Sequence, residues 1–386
     1  MNLPMRAPNP ILISTIATFL TSAALAFDHQ KLQEIDGAIE TAIAKELTPG
    51  AVFWLEKHGQ TYANVYGHMS LEPDRIPARI DAIYDSASLT KVVATTPAIM
   101  LLVEQGMIEI DALVSTYLDD FDNQGKEAIT IRHLMTHTSG LNPGIPLTIE
   151  IDGVSKDWAG YEMAITLAKA EEVRHPPGTG FIYSDINFIL LGEIIQQVTG
   201  KHLEDFTRES VFLPLGMKDT GHLPSPDLRY RTAPTKWWDG KMQRGTPNNP
   251  ICRRTGGVHG HAGMFTTAAD LARYCRMILN QGELDGVRFL QPETVRLMTS
   301  VQSPSAVDSL RGLGWDINSS YSSQRGEIFP IGGFGHTGFT GPSIWIDPAS
   351  NTFVIFMSNR IHPDGNGNVV PLRKRLGTIA AEAVGY

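Results

Sequence analysis

The stretch Tyr84–Thr96, YDSASLTKVVATT, sets a serine (Ser88) three residues ahead of a lysine (Lys91) at the start of an apolar run. The run continues as PAIMLLVEQG and stops at Gly106, a natural C-terminal glycine for a helix. On a helix, positions i and i+3 share a face about one turn apart, so the lysine amine can reach the serine hydroxyl. A Ser-x-x-Lys match alone is weak: on the order of one arises by chance in a chain this size. Here Ser88–Lys91 is the only match. Taken singly, Ser88 reads as a helix cap and Lys91 as a solvated charge. Two features weigh against that. Ser86 is already available as a cap, and Lys91 is followed by Val92, Val93 and Ala94 rather than by polar residues. A helix start buried in a cleft would lower the lysine's proton affinity and make it a usable base, while the first N–H groups face any developing negative charge. Pro97 is a candidate kink in this helix.

Strand patterns lie on both sides. PGAVFWLEKHGQTYANVYG reads as two strands around a His-Gly turn, and AIYDS as a short strand leading into the Ser88 helix. After residue 300, GLGWDIN, GGFGHTG, PSIWIDP and TFVIFMSN read as further short strands, with a closing helix VVPLRKRLGTIAAEAV. Between them are helical stretches and long loops, among them ITIRHLMTHTSGL, WAGYEMAITLAKAEEV and INFILLGEIIQQVTGKHLEDF. The expected fold is α+β. One antiparallel sheet, flanked by helices, is built from the N- and C-terminal segments, and a mostly helical subdomain is inserted between them. The α/β part spans about 27–105 and 255–386, the insertion about 106–254, and the cleft between the two is the expected site.

The segment 1–26 reads as a signal peptide: one Arg, an apolar run of 16 residues from Ile11, and Ala-Leu-Ala ending at Ala26. The mature domain is then 27–386, periplasmic or secreted, with no stable membrane span after cleavage. Of 386 residues, 42% are hydrophobic and 19% charged, enough for a large core. A net charge of −9 argues against a nucleic-acid partner. Two cysteines, Cys252 and Cys275, form no disulfide scaffold; one bridge or two buried thiols are both open. No G-x-S-x-G nucleophile elbow is present. No H-E-x-x-H occurs either, so His133, His137, His259 and His261 read as structural histidines, and neither metal nor cofactor is expected.

Two further motifs stand in order behind the Ser88 helix. YSDIN places Tyr183 and Asp185 after a Pro-Gly turn and before an apolar helix. Tyr183 there reads either as a core aromatic or as a phenol aimed at the serine that passes a proton to the leaving group. GHTGFTG, with His336, Thr337 and Gly338, reads either as a glycine-rich edge strand with a surface histidine or as a strand whose glycine lets a substrate lie close, so that the Phe339 N–H can join that of Ser88 in an oxyanion hole.

With these three motifs, and with IRHLMTHTSGL, HPPGTGFIYSDINFILLG, GHAGMFTTAADLARY and FGHTGFTGPSIWIDP, the chain from about Gly50 onward resembles the penicillin-binding protein and class C β-lactamase-like serine hydrolases. The resemblance implies that Ser88 is the acylated nucleophile, Lys91 its proton partner and Tyr183 the first residue of a Tyr-x-Asn motif. His336-Thr337-Gly338 stand where many members have Lys-Thr-Gly. Two departures matter. Asp185 stands in place of Asn and cannot donate hydrogen bonds when ionised. His336 replaces a fixed positive charge with a group mostly neutral at pH 7. Both weaken recognition of an anionic β-lactam. The expectation is therefore a carboxylesterase or D-Ala-D-Ala carboxypeptidase-like enzyme acting on a small-molecule ester or a peptidoglycan-derived peptide. The alternatives are a β-lactamase or a slow-deacylating penicillin or muropeptide sensor. Trp237, Trp238, Arg244, Arg253 and Arg254 read as surface and packing residues, with a cleft-lining role as the alternative.

Overall fold

Residues Thr352–Ser358 and Ser343–Asp347 are almost continuously apolar, as strands buried on both faces must be. In the computed structural model, which describes residues 27–386, they form the middle of an eight-stranded antiparallel sheet. The expected signal peptide, 1–26, lies outside the described residues. The strand order is Leu310–Arg311, Asp316–Asn318, Phe334–Thr337, Ser343–Asp347, Thr352–Ser358, Gly50–Lys57, Gln60–Ser70, Ile76–Pro77. The C-terminal strands thus pair directly with the N-terminal hairpin, through Ala51↔Ser358 to Lys57↔Thr352. The hairpin turns at His58-Gly59, both in the left-handed region.

Alternation along each strand divides the core in two. Phe53, Leu55, Trp345, Val354 and Phe356 face the terminal helices His29–Ala44 and Val370–Ala383. Val52, Ile344, Ile346, Phe353, Ile355 and Met357 face the rest of the molecule, where the Ser88 helix is buried. Asp28 caps the first helix, its carboxylate accepting from Gln30 N–H at 2.8 Å.

The Ser88 helix is apolar all round because it runs through the interior. Its segment Lys91–Thr95 is widened: Thr96 N–H reaches back to Lys91 O. Pro97 is the cause, since it has no N–H to give. Val92 O therefore lacks a helical donor, and the buried Tyr274 hydroxyl fills that place at 2.7 Å. The expected kink is thus a local widening, set beside Lys91.

Some elements depart from expectation. Tyr84–Asp85 belongs to a separate three-stranded sheet with Met264–Thr266 and Gly221–His222, not to the main sheet. The stretch ITIRHLMTHTSGL is helical only over Ile131–Met135. Beyond it the Thr136 hydroxyl takes up Arg132 O and His137 turns left-handed, which ends the helix. Three short hairpins appear at Asp152-Gly153, Asp239-Gly240 and Asp285-Gly286, where both turn residues have positive φ. Cys252 and Cys275 are both free and buried.

Candidate active site

Ser88 stands at the entrance to its helix, preceded by a strained residue. Ala87 has φ +45°, in the left-handed region that a side chain disfavours. The buried Asp85 carboxylate holds it there by accepting Ala87 N–H at 2.9 Å, and also accepts Asn248 N–H at 2.7 Å. Ser86 is not the side-chain cap the sequence offers; it is fully buried and its hydroxyl meets Tyr84 O.

Lys91 is fully buried, and its Nζ donates to Ser88 Oγ at 3.1 Å and to His261 O at 2.9 Å. The same Nζ lies 2.7 Å from Asp185 Oδ1 and 5.1 Å from the centre of the Tyr183 ring. The His261 carbonyl can come this close because Gly260 has no side chain: a Cβ there would sit 2.1 Å from Phe188 O. Burial pushes the Lys91 ammonium down, as the sequence suggests, but the charges of Asp185 and Tyr183 outweigh it and the net shift is upward. Burial likewise raises the Asp185 carboxyl, and Lys91 followed by His261 brings it below its ordinary range. The pair is therefore an ion pair at neutral pH. Lys91 does not become a neutral amine, because Asp185 is beside it. Asp185, read from sequence as a substrate contact, is 29% exposed at its side chain and sits on Lys91 at the start of the helix Asp185–Thr199, where the helix dipole favours an anion.

Tyr183 lies just before that helix. Its ring stacks on Tyr321 at 4.9 Å and lies 5.9 Å from the His336 ring. His336 is buried on the strand Phe334–Thr337, its Nδ1 at 2.9 Å from Thr337 O. Burial, then the Arg311 and Lys91 charges, hold it neutral, well below the usual histidine range. Gly338 presses on the turn before Ser88: a Cβ there would be 2.5 Å from Ser86 O. Thr340 adds a second tie, its hydroxyl donating to Asp85 O at 2.7 Å. The amide of Ser88, two residues beyond Ser86, and that of Phe339, one residue beyond Gly338, donate to no backbone acceptor among the described residues. They are free to bind an oxyanion.

Ser88, Tyr183, His336, Thr337, Gly338 and Phe339 line one cavity of about 310 Å³. Its remaining wall was not foreseen from sequence: Asp316, Tyr321, Arg360, Asn368, Val370 and Arg373. Asp316 is matched by the buried Arg311 at 3.2 Å. Arg360 and Arg373 instead bond backbone carbonyls, Arg360 Nε to Phe339 O at 2.7 Å and an Arg373 terminal nitrogen to Gly338 O at 2.7 Å. Burial, with Arg360 beside it, pushes the Arg373 guanidinium below its ordinary range. Trp237, Trp238, Arg244, Arg253 and Arg254 stay off this wall; Trp238 lies under Arg253, 3.8 Å from the ring centre.

An antiparallel sheet flanked by helices, with a buried Ser-x-x-Lys helix packed in the core on one side of it, defines the β-lactamase/transpeptidase-like fold. The Beta-lactamase family model matches residues 35–378, and the chain belongs to that family of penicillin-binding-protein-like serine hydrolases. It is 29% identical to "Putative D-alanyl-D-alanine carboxypeptidase" proteins of Salmonella agona and Salmonella typhi, over 95% of this chain and 92% of theirs. Similar solved structures include EstCE1, a hydrolase with promiscuous acyltransferase activity (TM-score 0.72, 22% identity, 91% of this chain and 99% of that one). Others are the octameric penicillin-binding protein homologue from Pyrococcus abyssi (0.70, 23%, 90% and 76%) and a class C β-lactamase (0.71, 21%, 92% and 96%). These likenesses establish the fold. No helix among the described residues is long and apolar enough to cross a membrane.

Proposed function

We propose that this protein is an exported acyl-transfer hydrolase in which Ser88 is acylated, and that its substrates carry a carboxylate, as a peptide ending in D-alanine does. The observation that carries the acyl chemistry is the 3.1 Å contact between Ser88 Oγ and a fully buried Lys91 Nζ. Lys91, kept charged by Asp185, donates to Oγ and so cannot take the serine's own proton. For this Tyr183 acts as a phenolate, its charge balanced by the Lys91 ammonium: its oxygen takes that proton as Oγ bonds the substrate carbonyl carbon and the carbonyl electrons move onto oxygen. The Ser88 and Phe339 amides receive the oxyanion. The bond to the leaving amine or alcohol breaks as Tyr183 returns the proton to it, and water then cleaves the acyl-enzyme by the same route.

The substrate class rests on charge. His336 is neutral, but Arg360 and Arg373 bring two cations to the cavity without carboxylate partners among the described residues, while Asp316 is already matched by Arg311. A substrate carboxylate would relieve that imbalance. The names of the Salmonella relatives point the same way. A second reading, hydrolysis of small neutral esters, is favoured by the apolar rim, where Phe339 is 62% exposed and Tyr321 is exposed as well.

The test compares the protein without residues 1–26 and its Ser88→Ala variant on p-nitrophenyl butyrate and on an N-acylated D-Ala-D-Ala peptide. Release of D-alanine that disappears in the variant supports the peptidase reading. Ester turnover alone supports the second. Neither activity, together with no covalent mass increase from penicillin, would reject Ser88 acyl chemistry.

A further inference from the structure

Tyr183 is held by one residue that none of the three motifs includes. His137 follows the short helix Ile131–Met135 and has φ +58°, a left-handed conformation uncommon outside glycine that histidine and asparagine tolerate better than most residues. Its carbonyl accepts Ile182 N–H at 3.1 Å, and its Nδ1 accepts Ser184 N–H at 3.1 Å. The two neighbours of Tyr183 are thus tied to one residue. The His137 ring also lies against the phenol ring, with centroids 4.5 Å apart and planes at 36°. Phe188 backs the imidazole at 5.3 Å and Phe181 meets its edge at 6.3 Å.

The tautomer is set by the same contacts. Because Nδ1 accepts the Ser184 amide, the neutral ring carries its hydrogen on Nε2. Asn187 Nδ2 lies 3.3 Å from that Nδ1, and Ser139 Oγ donates to Asn187 Oδ1 at 2.7 Å, which orients the amide with its nitrogen toward the imidazole. Burial and the nearby Arg311 and Lys91 charges keep the ring neutral.

We infer that His137 is a positioning residue for Tyr183. By two hydrogen bonds to the flanking backbone amides and a ring contact it fixes the Tyr183 ring beside the Lys91 ammonium, so that the phenolate oxygen is placed to take the proton from Ser88. Proton transfer falls off steeply with misplacement, so release of this bracket lowers the rate of acylation rather than substrate binding.

The inference rests on Tyr183 acting in acyl transfer, and the experiment separates the two. Ester hydrolysis is measured for the wild type, His137→Asn, Tyr183→Phe and the double variant, with thermal unfolding of each. Asparagine tolerates the left-handed backbone but supplies no ring. The expected result is a kcat loss on the order of tenfold or more in His137→Asn with KM little changed, and no further loss when it is added to Tyr183→Phe. An equal loss in both backgrounds would mean that His137 acts only through general stability, and would overturn the inference. Full activity in Tyr183→Phe would remove the proton-transfer reading first, and the inference with it. If His137→Asn does not fold, His137→Gln is used in the same cycle. Independently of any variant, ¹⁵N-histidine NMR of the wild type at neutral pH should show an unprotonated Nδ1 for His137. A proton on Nδ1 would contradict the bracket.

Discussion

The Lys91 ammonium meets the Asp185 carboxylate at 2.7 Å with the same nitrogen that reaches Ser88 Oγ. Burial alone would drive that amine toward neutrality; the carboxylate reverses the direction. The residue that departs from the family's Tyr-x-Asn pattern therefore acts on the lysine's charge. In Asp185→Asn the burial effect is opposed only by Tyr183, so Lys91 loses its proton at lower pH. If the charged form is the active one, the alkaline limb of the kcat/KM profile moves to lower pH in the variant. A profile that does not move would show that Asp185 does not set the charge of Lys91.

Lys91 itself should be nearly as costly to remove as the serine. Groups that act as one unit give similar losses when deleted singly. Lys91→Ala is expected to reduce acylation almost as far as Ser88→Ala, measured as the rate of covalent modification by penicillin. Retention of most of the rate in Lys91→Ala would exclude the ammonium from the chemistry.

Asp85 offers a pH test of stability. Burial raises its carboxyl from 3.8 to about 6, and the amides of Asn248 and Ala87 and the Arg253 charge offset only part of this. A raised carboxyl binds its proton more tightly in the folded state. Its contribution to stability is therefore full below pH ~4 and is lost as pH rises through about 6. The difference corresponds to about 3 kcal/mol. Asp85→Asn cannot ionise. Its stability relative to the wild type, from urea unfolding, should thus be more favourable at pH 7.5 than at pH 4 by up to that amount. A relative stability that is the same at both pH values would show that Asp85 does not titrate in this range.

The outline of this molecule is legible in its sequence for local reasons. Ser88 and Lys91 meet because i and i+3 share a helix face, and the terminal strands show themselves by apolar runs such as TFVIFMS. The three Asp-Gly hairpins were equally local and could have been found, since a turn with positive φ at two successive residues calls for that dipeptide. The Lys91–Asp185 pair, the His137 bracket and the placing of Arg360 and Arg373 on the cavity wall join residues far apart in the chain. No periodicity reports such contacts, so the sequence suggested a base in Lys91 where the structure has an ion pair.

Gly338 is where strand and nucleophile turn touch. A Cβ built on it would lie 2.5 Å from Ser86 O, a backbone atom that cannot swing away. Gly338→Ala must push the strand off the Ser86–Ala87 turn, and so separate the Phe339 amide from that of Ser88. Overpacking of this kind costs about 1–3 kcal/mol. The expected result is a lower unfolding midpoint together with a fall in kcat of more than tenfold, since one oxyanion donor is worth roughly a hundredfold or more. A variant that unfolds earlier but turns over normally would place the oxyanion site elsewhere.

Arg360 decides between the two substrate readings. Its Nε donates to Phe339 O, its guanidinium lies 4.4 Å from the Phe339 ring centre, and it also bonds Gly367 O. It is thus fixed at the cavity wall with no acid paired to it among the described residues. Arg360→Met keeps most of the apolar stem and removes the charge. If the cavity binds a carboxylate, kcat/KM for the D-Ala-D-Ala peptide should drop by about tenfold or more, equivalent to ~1.4 kcal/mol. Turnover of p-nitrophenyl butyrate, which has no carboxylate, should change far less. Raised salt should weaken the wild type toward the peptide and leave the variant nearly indifferent, because partly exposed charge pairs are screened. Equal losses on both substrates would mean that Arg360 serves only to hold Phe339, and the neutral-ester reading would then be the better one.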